Sequence, residues 1–102
     1  MYRPVYVLIP KSDIVLMVRD NVDYRIVKLA SYPSPVYVNA LVVTASEPDD
    51  SMLRKISTYA EVKKAFPFLM AVKIRGTAGN VAKLGSEKFV KYIALEEVIG
   101  ES

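Results

Sequence analysis

The stretch LMAVKIRGTAGNVAKLGSEKFVKYIAL, residues 69–95, decides the predicted fold of this chain. It contains two apolar runs, Leu69 to Arg75 and Phe89 to Leu95, each typical of a β-strand. Residues 76–88 lie between them and combine glycines with lysines. The stretch therefore predicts two strands joined by a basic loop, which could close over a phosphate backbone or dock a partner protein.

The first of these strands alternates between apolar and basic side chains. Val72 and Ile74 are predicted to face the core, while Lys73 and Arg75 are predicted to face outward. From position 63 to position 91 seven residues are basic and only Glu87 is acidic. The C-terminal half of the chain is therefore predicted to carry the positive surface.

Composition limits the chemistry that the chain can perform. The 102 residues predict one domain spanning 1–102, and a hydrophobic content of 52% is enough for a core. Because the chain has no cysteine and no histidine, disulfides, thiol chemistry, the usual zinc ligands and the usual general base are excluded. No catalytic motif is present, so we expect a non-enzymatic protein without cofactor or metal. Few thermolabile side chains and many Val, Ile, Lys and Glu residues suggest a thermophile.

The net charge of +3, from 14 basic and 11 acidic residues, permits nucleic-acid binding but does not require it. The apolar run Val5 to Ile9, closed by Pro10, is too short for a signal-peptide core or a membrane span. We therefore expect a soluble, cytoplasmic protein with no membrane partner.

The remaining segments are mostly predicted to be strands. Apolar and β-branched runs predict four more of them: Val5 to Ile9, Ile14 to Arg19, Tyr24 to Ala30 and Val36 to Ala45. Asp20 to Asp23 is predicted to be a hairpin connection.

One helical segment is predicted between the strands. Apolar residues at steps of three and four indicate either one helix from about Asp50 to Ala65 or a short helix from Tyr59 to Ala65. Ser46, Asp49 and Asp50 are candidate N-caps, and Thr58 with Glu61 forms a candidate capping box. Pro67 ends the segment. The fold class is therefore predicted to be all-β with one helical segment, in a five- to six-stranded antiparallel barrel.

The order of three strands, a helix and a final hairpin resembles the oligonucleotide/oligosaccharide-binding (OB) fold. The residue pattern near the C-terminus is similar to the end of small single-strand-binding subunits of the replication-protein-A type. The two segments concerned are VKIRG, residues 72–76, and YIALEEVI, residues 92–99. This resemblance covers about 85 residues as topology and only about 30 as sequence. It implies that residues 76–88 join strands four and five, where such a loop can clamp a single strand.

Candidate ligand-binding residues follow from charge and aromaticity. Residues 76–88 do not match a phosphate-binding P-loop, because no Gly-Lys-Ser/Thr follows the required spacing. Five basic residues are predicted to hold phosphates and two more could extend the groove, while two tyrosines could stack on bases. They are Lys73, Arg75, Lys83, Lys88 and Lys91, then Arg25 and Lys28, and finally Tyr37 and Tyr92. For each basic residue the alternative is an ordinary solvated face, and for each tyrosine a packing role.

Three functions remain open on this basis. The first is a module that binds single-stranded DNA or RNA in replication, repair or RNA handling. The second is a protein-binding adapter, or an accessory subunit of a polymerase or repair assembly, which the YPSP stretch at 32–35 and the weak net charge favour. The third is a viral or mobile-element protein with a fold of its own.

Overall fold

The computed structural model of the protein describes residues 20–101. In chain order, the elements are α1 Tyr24–Ala30, β1 Val36–Thr44, α2 Asp50–Ser57, β2 Glu61–Phe66, a 3-10 helix Pro67–Leu69, β3 Ala71–Thr77, α3 Ala78–Leu84 and β4 Val90–Glu101. The predicted strands Val5 to Ile9 and Ile14 to Arg19 lie outside the described residues.

Four strands form one antiparallel sheet in the order β2-β3-β1-β4. A barrel would require hydrogen bonds between the two outer strands, β2 and β4, and the described strands do not close in this way. The predicted all-β, five- to six-stranded OB-like barrel is therefore wrong, and the fold is mixed α/β with an open sheet. From β1 to β4 the element order β-α-β-β-α-β is the split βαβ arrangement.

The first correction concerns Tyr24 to Ala30, which forms helix α1 instead of a strand. Asp23 caps the helix by accepting a hydrogen bond from the Arg25 backbone N–H. Within α1 Ile26 is buried, and Leu29 and Ala30, three and four residues later, pack against the core, which is a helical spacing. The apparent alternation in this segment concealed that spacing.

The second correction concerns Glu61 to Phe66, which forms edge strand β2 instead of the end of a helix. Helix α2 ends at Ser57, and Thr58 is its C-cap, so Thr58 does not begin a capping box. Asp49 is confirmed as an N-cap, because its Oδ1 accepts a hydrogen bond from the Met52 N–H at 2.9 Å. Charged side chains on β2 suit an exposed edge, since they discourage pairing with other chains.

The third correction concerns residues 76–88, predicted as a basic loop. Seven of these residues form α3, with Thr77 as its N-cap. Four α3 residues pack into the core: Ala78, Val81, Ala82 and Leu84. This segment is therefore a helix packed on the sheet, and not the loop between two strands that the OB resemblance implied.

The core lies between the sheet and the helices. On β1 the buried positions include Val38, Ala40 and Val42, and the inward orientation predicted for Val72 and Ile74 on β3 is confirmed. Gly85, which follows α3, approaches Val22 so closely that an added Cβ would lie 2.5 Å from the Val22 Cγ2. The segment that leads into α1 is therefore packed tightly against the end of α3.

Asp23 joins α1 to β4. Its Oδ2 accepts hydrogen bonds from Arg25 Nη2 at 2.8 Å and from the Leu95 N–H at 3.1 Å. Its own N–H donates to the Ile93 carbonyl at 2.8 Å. Hydrogen bonds from the Arg25 side chain, assisted by backbone N–H groups, lower the pKa of Asp23 to about 2.

We expect the contribution of Asp23 to stability to depend on pH. Its folded pKa is depressed, so the contribution is present above the ordinary pKa of 3.8 and is lost as pH falls toward 2. Asp23→Ala should cost about 0.5–2 kcal/mol at neutral pH for the lost cap alone. It should also flatten the decline in melting temperature between these pH values. Thermal unfolding over an acidic pH series checks this, with exposed Asp20→Ala as the control, and an unchanged pH profile in the Asp23 variant would contradict it.

Candidate nucleic-acid interface

The sheet face opposite the helices, called here the outer face, carries the candidate interface. On β1 and β3, cross-strand partners on this face are Tyr37 with Thr77, Asn39 with Arg75, Leu41 with Lys73 and Val43 with Ala71. Directly paired residues point to the same side of a sheet. Because the three helices pack on the opposite side, no described helix covers the outer face.

Four of the nine candidate residues lie on the outer face. Lys73 is half-buried and Arg75 is exposed on β3. Tyr37 on β1 is 36% exposed, and Tyr92 on β4, the partner of Val43, is 39% exposed. The structure therefore brings two predicted phosphate-binding residues and both predicted stacking residues to one surface.

Arg75 belongs to a polar row across the centre of this face. Its Nε donates to Asn39 Oδ1 at 3.1 Å, and Asn39 Nδ2 donates to Glu97 Oε1 at 2.9 Å. Asn39 is only 9% exposed, so these two bonds satisfy a largely buried amide. The row fixes the orientation of the guanidinium, while the carboxylate of Glu97 offsets part of its charge.

Lys64 is a basic residue of this face that the sequence pattern did not reveal. It is the cross-strand partner of Lys73, so two like charges stand opposite each other, an arrangement that costs free energy without an anion nearby. Within residues 20–101 neither lysine forms an ion pair. Lys64 Nζ lies 5.3 Å from the Phe66 ring centroid. The pair is therefore suited to attract an anion.

The two tyrosines stand at opposite ends of the outer face. Tyr92 pairs with Val43, which is six residues from Tyr37 along β1, and this places the backbone positions of the two tyrosines roughly 20 Å apart. Lys73 and Arg75 lie in the rows between them. Two rings so far apart cannot contact one base, but they can contact separate bases of one strand.

The other five candidates lie elsewhere. Lys83 is on α3, Lys88 follows α3, and Lys91 falls in a register shift at the start of β4. Arg25 and Lys28 line a shallow groove of about 380 Å³ between α1 and β4, together with Leu29, Tyr32, Leu95 and Val98. The single basic surface predicted for all nine residues is therefore divided between two sides of the molecule.

Several acidic residues have local hydrogen-bond partners. Asp23 and Asp49 are helix N-caps, and Glu97 accepts from Asn39. Tyr59 donates its hydroxyl to Glu87 Oε2 at 2.7 Å, and this hydrogen bond raises the pKa of Tyr59. In the described part of the chain, no three acidic residues gather where they could hold a metal ion. None of the described helices is long and apolar enough to cross a membrane.

Comparisons with protein-family models, with curated proteins and with solved structures found no match to this chain. A function is therefore inferred from the side chains of the outer face and from their physical chemistry.

Proposed function

We propose that the outer face binds single-stranded DNA or RNA without catalysing a reaction, as a module for replication, repair or RNA handling. The observation that carries the proposal is the placement of Lys64, Lys73 and Arg75 on a sheet face that no described helix covers and that also bears two exposed tyrosines. Proteins that bind single strands combine cations for the backbone with aromatic rings for the bases. Four-stranded sheets with helices on one side bind RNA in this way, with the bases stacked on strand aromatics.

Charge on the outer face suggests a path for the strand. Glu61 and Glu97 lie in the same row as Arg75 and repel phosphates there. The row of Lys64 and Lys73 has no acidic residue among its described members, and Tyr92 lies one row further on. We therefore expect the phosphates to follow the lysine pair and one base to stack on Tyr92.

Oligonucleotide binding tests the proposal. We expect labelled single-stranded DNA or RNA to bind the full chain at low salt, measured by fluorescence anisotropy. Tyr37→Ala or Tyr92→Ala should weaken binding by roughly 1–3 kcal/mol, since each variant removes a stacking platform. Tyr32→Ala is the matched control, because Tyr32 is also exposed but lies in the groove beside α1.

Melting temperatures of the same variants separate a binding role from a packing role. A tyrosine that only packs would lower the melting temperature on truncation without a selective loss of affinity. Equal losses of affinity in all three variants would contradict the proposed platforms. Failure of every oligonucleotide to bind at low salt would refute the function itself.

A protein-binding adapter in a larger assembly is the second candidate, and a specific surface favours it. The groove between α1 and β4 is lined by apolar and basic side chains, and among the latter Arg25 also pairs with Asp23. The apolar ones are Leu29, Leu95 and Val98, and the basic ones are Arg25 and Lys28. An acidic, partly apolar peptide segment fits this chemistry. A complex whose contacts map to this groove, in a protein that binds no oligonucleotide, would select this candidate.

A further inference from the structure

The tip of the hairpin between β2 and β3 exposes large apolar side chains. Phe68 is 95% exposed, Leu69 71% and Met70 42%, and Pro67 beside them is also exposed. Single exposed apolar residues are common, but a contiguous group marks an interaction surface. We call residues 67–70 the apolar tip.

The apolar tip is an ordered turn. Pro67 opens the 3-10 helix, and the Met70 N–H donates to the Pro67 carbonyl at 3.0 Å. Met70 has a left-handed backbone with φ of 52°, which is uncommon outside glycine. Its carbonyl accepts from the Thr44 N–H at 2.8 Å and from Thr44 Oγ1 at 3.1 Å. These bonds anchor the turn to β1, so Phe68 and Leu69 are held outward by the fold.

The charged residues nearest the turn of the hairpin are all basic, while Glu61 at the start of β2 forms an ion pair with Lys63. From position 62 to position 74 the charged residues are Lys63, Lys64 and Lys73, with no acid among them. Lys64 and Lys73 are cross-strand partners two residues behind Phe66 and Ala71, the last pair before the turn. Two strand residues span about 7 Å, so Lys64 and Lys73 lie about this far behind the last strand pair before the apolar tip, measured along the strands.

We propose that the apolar tip inserts into the surface of a membrane that contains anionic lipids. Interfacial apolar groups enter a bilayer by about 5–10 Å, which would bring Lys64 and Lys73 to the level of the lipid phosphates. Lysines near an anionic membrane are attracted to it, and the attraction is screened by salt. This proposal differs from the expectation of no membrane partner that was drawn from the sequence. That expectation considered only segments that could span a membrane.

Size and shape favour lipid over a protein partner. A stable protein interface buries about 800 Å² on each side, whereas a tip of three side chains flanked by lysines offers much less apolar area. A convex tip can enter a fluid surface without a matching pocket. Glu47, Asp49 and Asp50 follow β1 at the same end of the sheet, leading into α2 on the helical side. Because Lys64 and Lys73 lie on the outer face, we expect the tip to enter the membrane with this face tilted toward the lipid.

The absence of tryptophan makes a direct test available. We expect Phe68→Trp to show a blue-shifted emission with vesicles of phosphatidylcholine and phosphatidylserine, and no shift with phosphatidylcholine alone. The shift should decrease at high salt, and lipids with bromine on the acyl chains should quench the emission. Tyr32→Trp is the control, because it reports an exposed position on the helical side and should not respond.

Sedimentation with the same vesicles supplies the second readout. Phe68→Ser with Leu69→Ser should lower vesicle affinity by about tenfold or more, since two apolar side chains no longer enter lipid. Val98→Ser with Ile99→Ser is the matched control, because these residues on β4 are 48% and 46% exposed. Binding of the single-stranded oligonucleotides should be unchanged in the tip variant, so this inference and the nucleic-acid proposal can fail separately.

Three results would overturn the inference. The first is a tip variant that sediments with anionic vesicles as the unchanged protein does. The second is a tryptophan emission from the Phe68→Trp variant that is the same with both kinds of vesicle. The third is a dimer that the tip variant converts to a monomer, with no vesicle binding by the unchanged protein, since the tip would then be a contact between copies of this chain.

Discussion

Ile74→Ala is expected to destabilise the protein by about 2–5 kcal/mol, the range for a large core side chain cut back to alanine. Ile74 is fully buried at the centre of the sheet, where it pairs with Ala40 on β1 and with Val62 on β2. Its neighbours in the strands cannot move into the space that the substitution leaves. A domain of this size loses roughly 4–8 °C in melting temperature for each kcal/mol, so the variant should melt about 8–40 °C lower. Thermal and urea unfolding measure this loss.

Lys73→Ala is the matched control, one residue away on the same strand. Lys73 lies on the outer face and belongs to no ion pair within residues 20–101. Its truncation should change stability by no more than about 0.5 kcal/mol. The two variants therefore test which face of β3 is the core. Losses of similar size would contradict the assignment of the helices to one side of the sheet.

The strands predicted correctly are those with the strongest β-strand signals. Val36 to Ala45 matches β1 within a residue, since its many β-branched side chains favour extended backbone in any environment. Leu69 to Arg75 and Phe89 to Leu95 overlap β3 and the first half of β4. On β3 the alternation of apolar and basic residues matched the burial, because its apolar residues face the helices.

The segments predicted wrongly depend on contacts that are distant in sequence. Glu61 to Phe66 continues the helical spacing of α2, yet it becomes a strand because β3 supplies its hydrogen-bond partners. Tyr24 to Ala30 becomes a helix because Asp23 is fixed both to Arg25 and to Leu95. Short segments of mixed propensity follow such contacts in preference to their local pattern. Because the first of these segments was predicted as helix and the second as strand, a barrel was predicted in place of an open sheet.

The candidate site was predicted in part. Lys73 and Arg75 were predicted from the alternation of side chains along a single strand. The same two-residue alternation on β1 places Tyr37 on the outer face. Asn39 offered a signal that was overlooked, as a polar residue within an apolar strand. Its partner Glu97 is 58 residues away, and no local pattern joins the two. Lys64 was missed because β2 had been assigned to a helix.

Lys73→Ala combined with Arg75→Ala is expected to weaken nucleic-acid binding, with most of the loss from Lys73, because Glu61 and Glu97 lie in the same row as Arg75. The loss should be the same for every oligonucleotide sequence, since contacts with phosphates carry no base information. Each lost contact should also reduce the slope of log affinity against log salt by about 0.7 for a single strand. Anisotropy titrations at several salt concentrations measure both quantities. Removal of the Arg75 side chain leaves Asn39 Oδ1 without its donor, so a melting curve of each variant must accompany the titrations.

Lys83→Ala combined with Lys88→Ala is the control for this prediction, because it removes the same net charge from the helical side of the sheet. If the outer face holds the strand, this control should keep the salt slope of the unchanged protein, apart from a small long-range effect that salt screens within about 10 Å. If overall charge alone attracts the strand, the two double variants should lose affinity equally. A control that loses more than the outer-face variant would move the interface to the helices, and the proposal for the outer face would then be wrong.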